Sequence, residues 1–243
     1  FVHKSGPIVD VSSRVFPYID EIVINLYGSE IDALPPRSQG IAGGTKPAFE
    51  VAAVNLTARN IGWRHVPLNL QFEARGVCLD QAFDARGEIV LLPRRIDDGE
   101  ISFSAAQLDL EEAIARVLAT EARAHGITIE QVRLALRERG PRSIAGEVRI
   151  QARKFVRAKI DIYGQLEVDE NFVATVSQLS CHGAGAIASR ACRALEPHLQ
   201  RFKCRSLPLK SLPLGETQLR TLRIAVTDAV ELRLGFGSAG AQT

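Results

Sequence analysis

The chain is expected to fold as an α+β protein built on an antiparallel β-sheet with one dry face, and three observations lead there. From Phe155 to Val168, Val156, Ala158, Ile160, Ile162, Leu166 and Val168 alternate with Arg157, Lys159, Asp161, Gln165 and Glu167. That period of two describes a strand with one apolar and one solvated side. Two stretches of helical spacing interrupt a series of such strands. Breakers such as Gly62, Gly76, Gly87, Gly140-Pro141 and Asp169-Glu170-Asn171 recur at short intervals, which joins successive strands as neighbours.

Taken in order, Val15 to Tyr27 is rich in Ile and Val in its second half and reads as a strand there, with a short helix from Ser13 as the open alternative. The stretch Leu34 to Pro47 is a loop by its Pro and Gly content. Phe49 to Arg59, Val66 to Ala74 and Glu88 to Leu92 form a meander. Asp109 followed by Glu112 has the spacing of a capping box, and Leu110, Ile114, Val117 and Leu118 then mark a helix that Gly126 stops. Ile129 to Arg137, Ser143 to Ala152, Phe155 to Val168 and Phe172 to Ser180 are the next strands. A second helix starts near Gly185, with Ile187, Ala191, Leu195 and Leu199 as the stripe turned to the sheet, and Pro197 is expected to kink or restart it. Gln218 to Val226 and Val230 to Phe236 close the chain.

Composition narrows the function. With 243 residues and 46% hydrophobic content the chain buries a substantial core, and its formal charge of +2 lacks the basic field of a nucleic-acid binder. No apolar run approaches the roughly 20 residues of a membrane-spanning helix. The chain contains no methionine, so Phe1 is read as following a removed segment: a signal peptide, a membrane anchor or a trimmed leader. Cys78, Cys181, Cys192 and Cys204 are too sparse for a disulfide scaffold and lack zinc-site spacing. They read as small buried hydrophobes, with a single Cys181–Cys204 bridge open to the chain in an oxidising compartment.

No catalytic constellation emerges. His3, His65, His125, His182 and His198 are scattered, and Gly183-Ala-Gly-Ala-Ile187 has no nucleophile at its centre. Gly40 to Lys46 is too short for a phosphate-binding loop and opens no helix. Asp97-Asp98 and Glu111-Glu112 are explained by a solvated turn and a helix start, and Asn55-Leu-Thr57 by chance inside a strand. No enzyme, cofactor or metal is therefore expected. Arg190, Arg193, Arg201, Lys203 and Arg205 gather on and just beyond the second helix, where they suit an anionic membrane surface.

Four stretches carry a family likeness: Val51 to Trp63 through Gly76-Val-Cys-Leu79; Gly99-Glu-Ile-Ser-Phe-Ser-Ala-Ala-Gln-Leu108; the alternating run from Phe155; and Leu207-Pro-Leu-Lys-Ser-Leu-Pro-Leu-Gly215 with the two strands after it. In these the chain resembles the tubular lipid-binding (TULIP) superfamily, in the bacterial envelope branch of unknown function found in cyanobacteria and actinobacteria. The resemblance covers nearly the whole chain, and the long Pro/Gly loop at 34–47 departs from the family. It implies a TULIP-like fold, a strongly curved antiparallel sheet wrapped around amphipathic helices, in one domain spanning 1–243: a meander to 107, a helix over 108–126 and a sheet and helix over 127–243. It also implies an apolar groove for acyl chains. Leu134, Leu136, Val148, Ile150, Ile160, Ile162, Leu222, Ile224, Leu232 and Leu234 would line it from the strands, and Ile114, Leu118, Ile187 and Leu195 from the helices. The expected function is non-enzymatic binding or transfer of phospholipid or another acyl lipid, periplasmic or membrane-associated in a bacterial envelope. The alternative is a structural or adaptor domain with a filled core.

Overall fold

The computed structural model describes residues 9–13, 15–27, 30–31, 42–63, 66–123, 126–153, 156–203, 206–211 and 215–238. The elements run β1 (Val9–Ser12), β2 (Tyr18–Asn25), β3 (Glu30–Ile31), β4 (Ala42–Trp63), β5 (Val66–Phe83), β6 (Ile89–Ala106), α1 (Gln107–Arg123), β7 (Thr128–Gly140), β8 (Ser143–Arg153), β9 (Arg157–Val168), β10 (Val173–Ala184), α2 (Gly185–Lys203), β11 (Ser206–Pro208), a 3-10 turn (Leu209–Ser211), β12 (Thr217–Val226) and β13 (Ala229–Ser238). An eight-stranded sheet has the order β1-β2-β4-β5-β6-β13-β12, with β3 also paired to β4. A five-stranded sheet has the order β11-β10-β9-β8-β7.

This architecture corrects the expected fold class. Strands dominate the described residues, the two helices hold 17 and 19 residues, and there are two sheets instead of one sheet wrapped around helices. Nor is the pairing wholly antiparallel, since β2 and β3 both run parallel to β4. The misreading came from the first half, where the strands are far longer than their breakers suggest: β4, β5 and β6 hold 22, 18 and 18 residues. Gly76 lies inside β5 at φ +58°, and a Cβ there would stand 2.1 Å from Asp97 Oδ2. A glycine is thus required by the neighbouring strand without ending its own. Gly87 does mark a turn: Asp84 accepts from the Arg86 and Glu88 amides through Oδ1, at 2.8 and 2.9 Å. Asp97 and Asp98 lie in β6, not in a turn, and pair with Arg95 and Arg220 at 3.1 and 3.7 Å. Of the expected loop, residues 34–41 lie outside the described residues, while 42–47 open β4.

The chain forms two compact units. One comprises Phe1–Ser104, Ser211–Leu222 and Leu232–Thr243, the other Ala105–Lys210 and Arg223–Glu231. The core of the first is Val51, Ala74, Val77, Ile96 and Phe236, with Phe72 stacked on Phe236 at 5.8 Å between ring centroids. The Ile96 amide donates to the buried Thr217 Oγ1 at 3.0 Å, so that buried hydroxyl is satisfied.

In the second unit the alternation of the sequence is realised. Ile150, Ala152 and Ile160 are buried with Ala188 and Cys192 of α2, and Val148, Ala158, Ile162 and Leu118 pack against them. Ile160 is buried and Lys159 exposed, whereas Ile162 and Asp161 are both half-buried and Val156 and Leu166 are exposed at the ends. α1 begins two residues before the expected cap, so Asp109 sits in its first turn and favours the helix dipole instead of capping. Gly126, at φ +67°, ends it by letting its own amide and that of Ile127 reach back to Arg123 O and Ala122 O at 3.1 and 3.0 Å. α2 continues through Pro197 as one helix.

Ile96→Ala is expected to destabilise the first unit by ~2–5 kcal/mol, because the site is close-packed on every side. Chemical denaturation followed by the fluorescence of Trp63, the sole tryptophan and part of that unit, measures it. A loss below ~1 kcal/mol would show that the site collapses around the deletion.

Candidate functional site

The helix-bearing face of the five-stranded sheet is set by register. Val148 pairs with Ile162, Ile150 with Ile160 and Ala152 with Ala158, so the even positions of β8 and β9 share one face. β7 adds Val132 beside Ile150, Leu134 beside Val148 and Leu136 beside Gly146. β10 adds Cys181 beside Ile162 and Gly183 beside Ile160, beyond a bulge between Ser177 and Ser180.

Two helices cover this face in different ways. α1 packs along β7, the sheet's outer strand, whose Leu134 would otherwise leave an amide and a carbonyl without partners. Gln107 Nε2 donates to Leu134 O at 2.9 Å, and Glu111 Oε2 accepts from the Leu134 amide at 2.7 Å. Positions 107 and 111 are one helical turn apart, which is why one residue of the strand meets both. Glu111 therefore has a structural use beyond the helix dipole. α2 instead doubles back over β10. A Cβ at Gly183 would lie 2.4 Å from the Ala188 carbonyl carbon, so the close approach needs a glycine. Cys192 then meets Cys181 in a disulfide with a Cα–Cα distance of 5.4 Å. This replaces the expected Cys181–Cys204 pairing; Cys204 lies outside the described residues, and Cys78 is a buried free thiol.

Coverage of the dry face is incomplete. No residue of α1 is fully buried. Beyond Val148 and Ile162, Gly146 pairs with Gly164, which leaves two neighbouring positions of the face without side chains. Leu136 Cδ2 and Leu179 Cδ1 lean in from either flank, 3.1 and 3.0 Å from where the missing Cβ atoms would be. All four of these residues are only half-buried.

The expected lining residues are therefore divided. Val148, Ile150, Ile160, Ile162 and Leu118 meet in one cluster, and Leu134 joins by register and Leu136 beside it. Ile114 and Leu195 are half-buried on α1 and α2. Ile224 is buried in the second unit, but Leu222, Leu232 and Leu234 belong to the first unit and so cannot be assigned to the same face. Ile187 is 55% exposed and does not face the sheet. Among the described side chains, the fully buried residues of α2 are Ala188 and Cys192, with the expected Ala191 half-buried against the same cluster; Ala188 takes the place expected of Ile187 because the contact with Gly183 admits only a small side chain. Helical spacing alone does not separate these two positions; the small residue opposite a strand glycine does.

An open cleft of about 450 Å³ lies where α2 leaves β10, lined by Cys181, His182, Gly183, Ser189, Cys192, Arg193 and Glu196. Arg190 and Arg193 are exposed on α2 and Lys203 is half-buried. The side chain of Arg201 and the whole of Arg205 lie outside the described residues.

The opposite face of the sheet is polar and cross-linked. Tyr163 Oη donates to Glu147 Oε1 at 3.1 Å, and Arg149 pairs with Glu147 and, at 3.9 Å, with Asp161. The Arg149 hydrogen bond holds the Glu147 carboxyl below the usual carboxylate range, against a smaller effect of burial. The hydrogen bond to Glu147 in turn raises the Tyr163 phenol above its ordinary value. Glu147–Tyr163 and Arg149–Asp161 are directly opposed cross-strand pairs and Arg149–Glu147 joins neighbours on one strand, so each group is already engaged and they describe a sheet surface more than a reactive centre. Asn55 Nδ2 donates to Glu21 Oε1 at 2.8 Å within the other sheet. Among the described residues no group of three His, Cys, Asp or Glu side chains is placed to hold a metal ion, and no helix is long and apolar enough to cross a membrane.

No family model, no curated protein and no solved structure matches the chain, so the family resemblance rests on its sequence patterns alone.

Because Tyr163's raised phenol value depends on a charged acceptor, its contribution to stability is present below the ordinary tyrosine pKa and lost as pH rises through the folded value. Glu147→Gln is expected to bring the Tyr163 transition down towards the ordinary phenol range. Ultraviolet titration of tyrosinate, compared with a Tyr163→Phe control, reads it. An unmoved transition would mean that Glu147 does not hold that proton.

Proposed function

We propose that this protein is a non-enzymatic lipid-binding or lipid-transfer module of a bacterial envelope, in which the second unit takes up acyl chains between its helices and the dry face of its sheet. The observation that carries the reading is the Gly146–Gly164 pair, a side-chain-free floor between Ile144 and Val148 on an apolar face. A glycine inside a strand marks either a bend or the close approach of something else. Here it is flanked by leucines that are only half-buried. The half-buried stripe of α1 adds to it: an amphipathic helix with no residue fully enclosed leaves that stripe in reach of a ligand. The disulfide between β10 and α2 fits an oxidising compartment such as the periplasm.

One observation favours the alternative, a structural or adaptor domain with a filled core. Leu136 and Leu179 already lie over the two glycines, as side chains do when they complete a core. The two readings differ in whether those leucines close the floor or swing aside.

Protein purified from its native envelope is expected to carry acyl lipid in stoichiometric amount, seen by solvent extraction and mass spectrometry. Val148→Trp and Ile162→Trp, a cross-strand pair on the dry face, should reduce uptake of a fluorescent phospholipid while the protein stays folded. If both variants instead lose the ~1–3 kcal/mol typical of overpacking, and the unaltered protein takes up no lipid, the filled-core reading holds.

A further inference from the structure

The cleft beside the disulfide differs in chemistry from the apolar face it adjoins. Cys181 and Cys192 belong to both: they line the cleft, and they pack with Ile150 and Ile160 in the core of the second unit. The cleft's remaining walls are polar. Ser189 Oγ donates to Gly183 O at 3.1 Å, which leaves its lone pairs as acceptors. His182 is exposed beside the Tyr163 ring, at 5.9 Å between centroids. Arg193 and Glu196 stand three residues apart on α2 and so line the cleft from one helix face, with opposite charges. Among the described residues Arg193 enters no ion pair, while Glu196 Oε1 accepts from Gln200 Nε2 at 2.5 Å and keeps a second oxygen. The volume of about 450 Å³ lies in the lower part of the range for small-molecule sites.

Resting on the lipid-binding reading above, we infer that this cleft receives the headgroup of a zwitterionic phospholipid, a phosphodiester bearing an ammonium group. Its acyl chains continue past the disulfide into the apolar layer. A guanidinium matches a phosphate in planar, two-pronged geometry, so Arg193 takes the phosphodiester. Glu196 takes the ammonium. A purely anionic headgroup would meet the Glu196 carboxylate, and an uncharged glyceride would leave both charges without a partner. The same chemistry is offered by a soluble glycerophosphodiester, and the test separates the two sources.

The full chain is offered four ligands: dioleoyl phosphatidylethanolamine, dioleoyl phosphatidylglycerol and dioleoylglycerol in mixed micelles, and soluble glycerophosphoethanolamine. Phosphatidylethanolamine is expected to bind about tenfold more tightly than the other two lipids, the effect of one charge-assisted contact. Arg193→Gln should bring phosphatidylethanolamine binding down towards that of dioleoylglycerol, with Arg193→Lys restoring part of it, and Glu196→Gln should remove the preference over phosphatidylglycerol. Equal binding of all three lipids, or a preference that survives both variants, overturns the headgroup assignment while the acyl-binding reading stands. No uptake of any lipid overturns both. Binding of glycerophosphoethanolamine with no lipid uptake also overturns the inference, and makes the cleft a site for the soluble phosphodiester.

Discussion

The second unit depends on the way α2 folds back onto β10. Three residue steps along the strand from Cys181 to Ala184 carry the chain roughly 10 Å, and seven steps along the helix from Gly185 to Cys192 carry it back by about 10 Å. The two rises match, so the sulfur atoms meet and a disulfide closes the corner. None of this works unless helix and strand touch backbone to backbone, and Gly183 against Ala188 provides that contact. From this corner follow the burial of Ala188 and Cys192, the exposure of Ile187, and the position of Arg193 and Glu196 on the cleft.

The other helix solves a different problem. An outer strand presents unpaired amides and carbonyls, and proteins must cover or blunt them. α1 does so with polar side chains, Gln107 and Glu111 on Leu134, and not by burying an apolar stripe deeply. A helix held by hydrogen bonds along an edge does not need to seal the face next to it. The half-buried state of Ile114, Leu118 and Leu136 is the consequence.

Much of the second unit was legible because its strands obey a single rule over their whole length. β7 to β10 lie within a few residues of the expected spans, as do β12 and β13, which the two units share, since alternation carries on through the glycines inside β8, β9 and β10. The first unit was read less well. β5 contains Gly76 and β6 contains Pro93 without either strand ending, because Asp97 fills the place of the missing side chain in one case and a register shift at Leu79 and Pro93 absorbs the other. Parallel pairing of β2 with β4 leaves no local mark in the sequence at all. Of the candidate site, the residues on β8 and β9 were legible from parity. Leu222, Leu232 and Leu234 were not separable from them, because membership of a unit is decided by contacts distant in sequence. The cysteine pairing was within reach of the two rises, but needed the end of β10 to be placed at Ala184 and not at Ser180.

The glycines of the dry face and the glycine under α2 do opposite things with the same absence of a side chain. Gly183 is occupied: the helix backbone sits where its Cβ would be, and the space is gone. Gly146 and Gly164 are met only by the methyl ends of Leu136 and Leu179, on side chains that turn about two torsions. A backbone contact cannot be withdrawn without unfolding the corner, whereas a leucine methyl moves by changing rotamer. The apolar face is therefore fixed where α2 meets Gly183 and adjustable at the Gly146–Gly164 pair. That is the arrangement a site needs if it is to stay closed to water when empty and still admit a chain of methylenes.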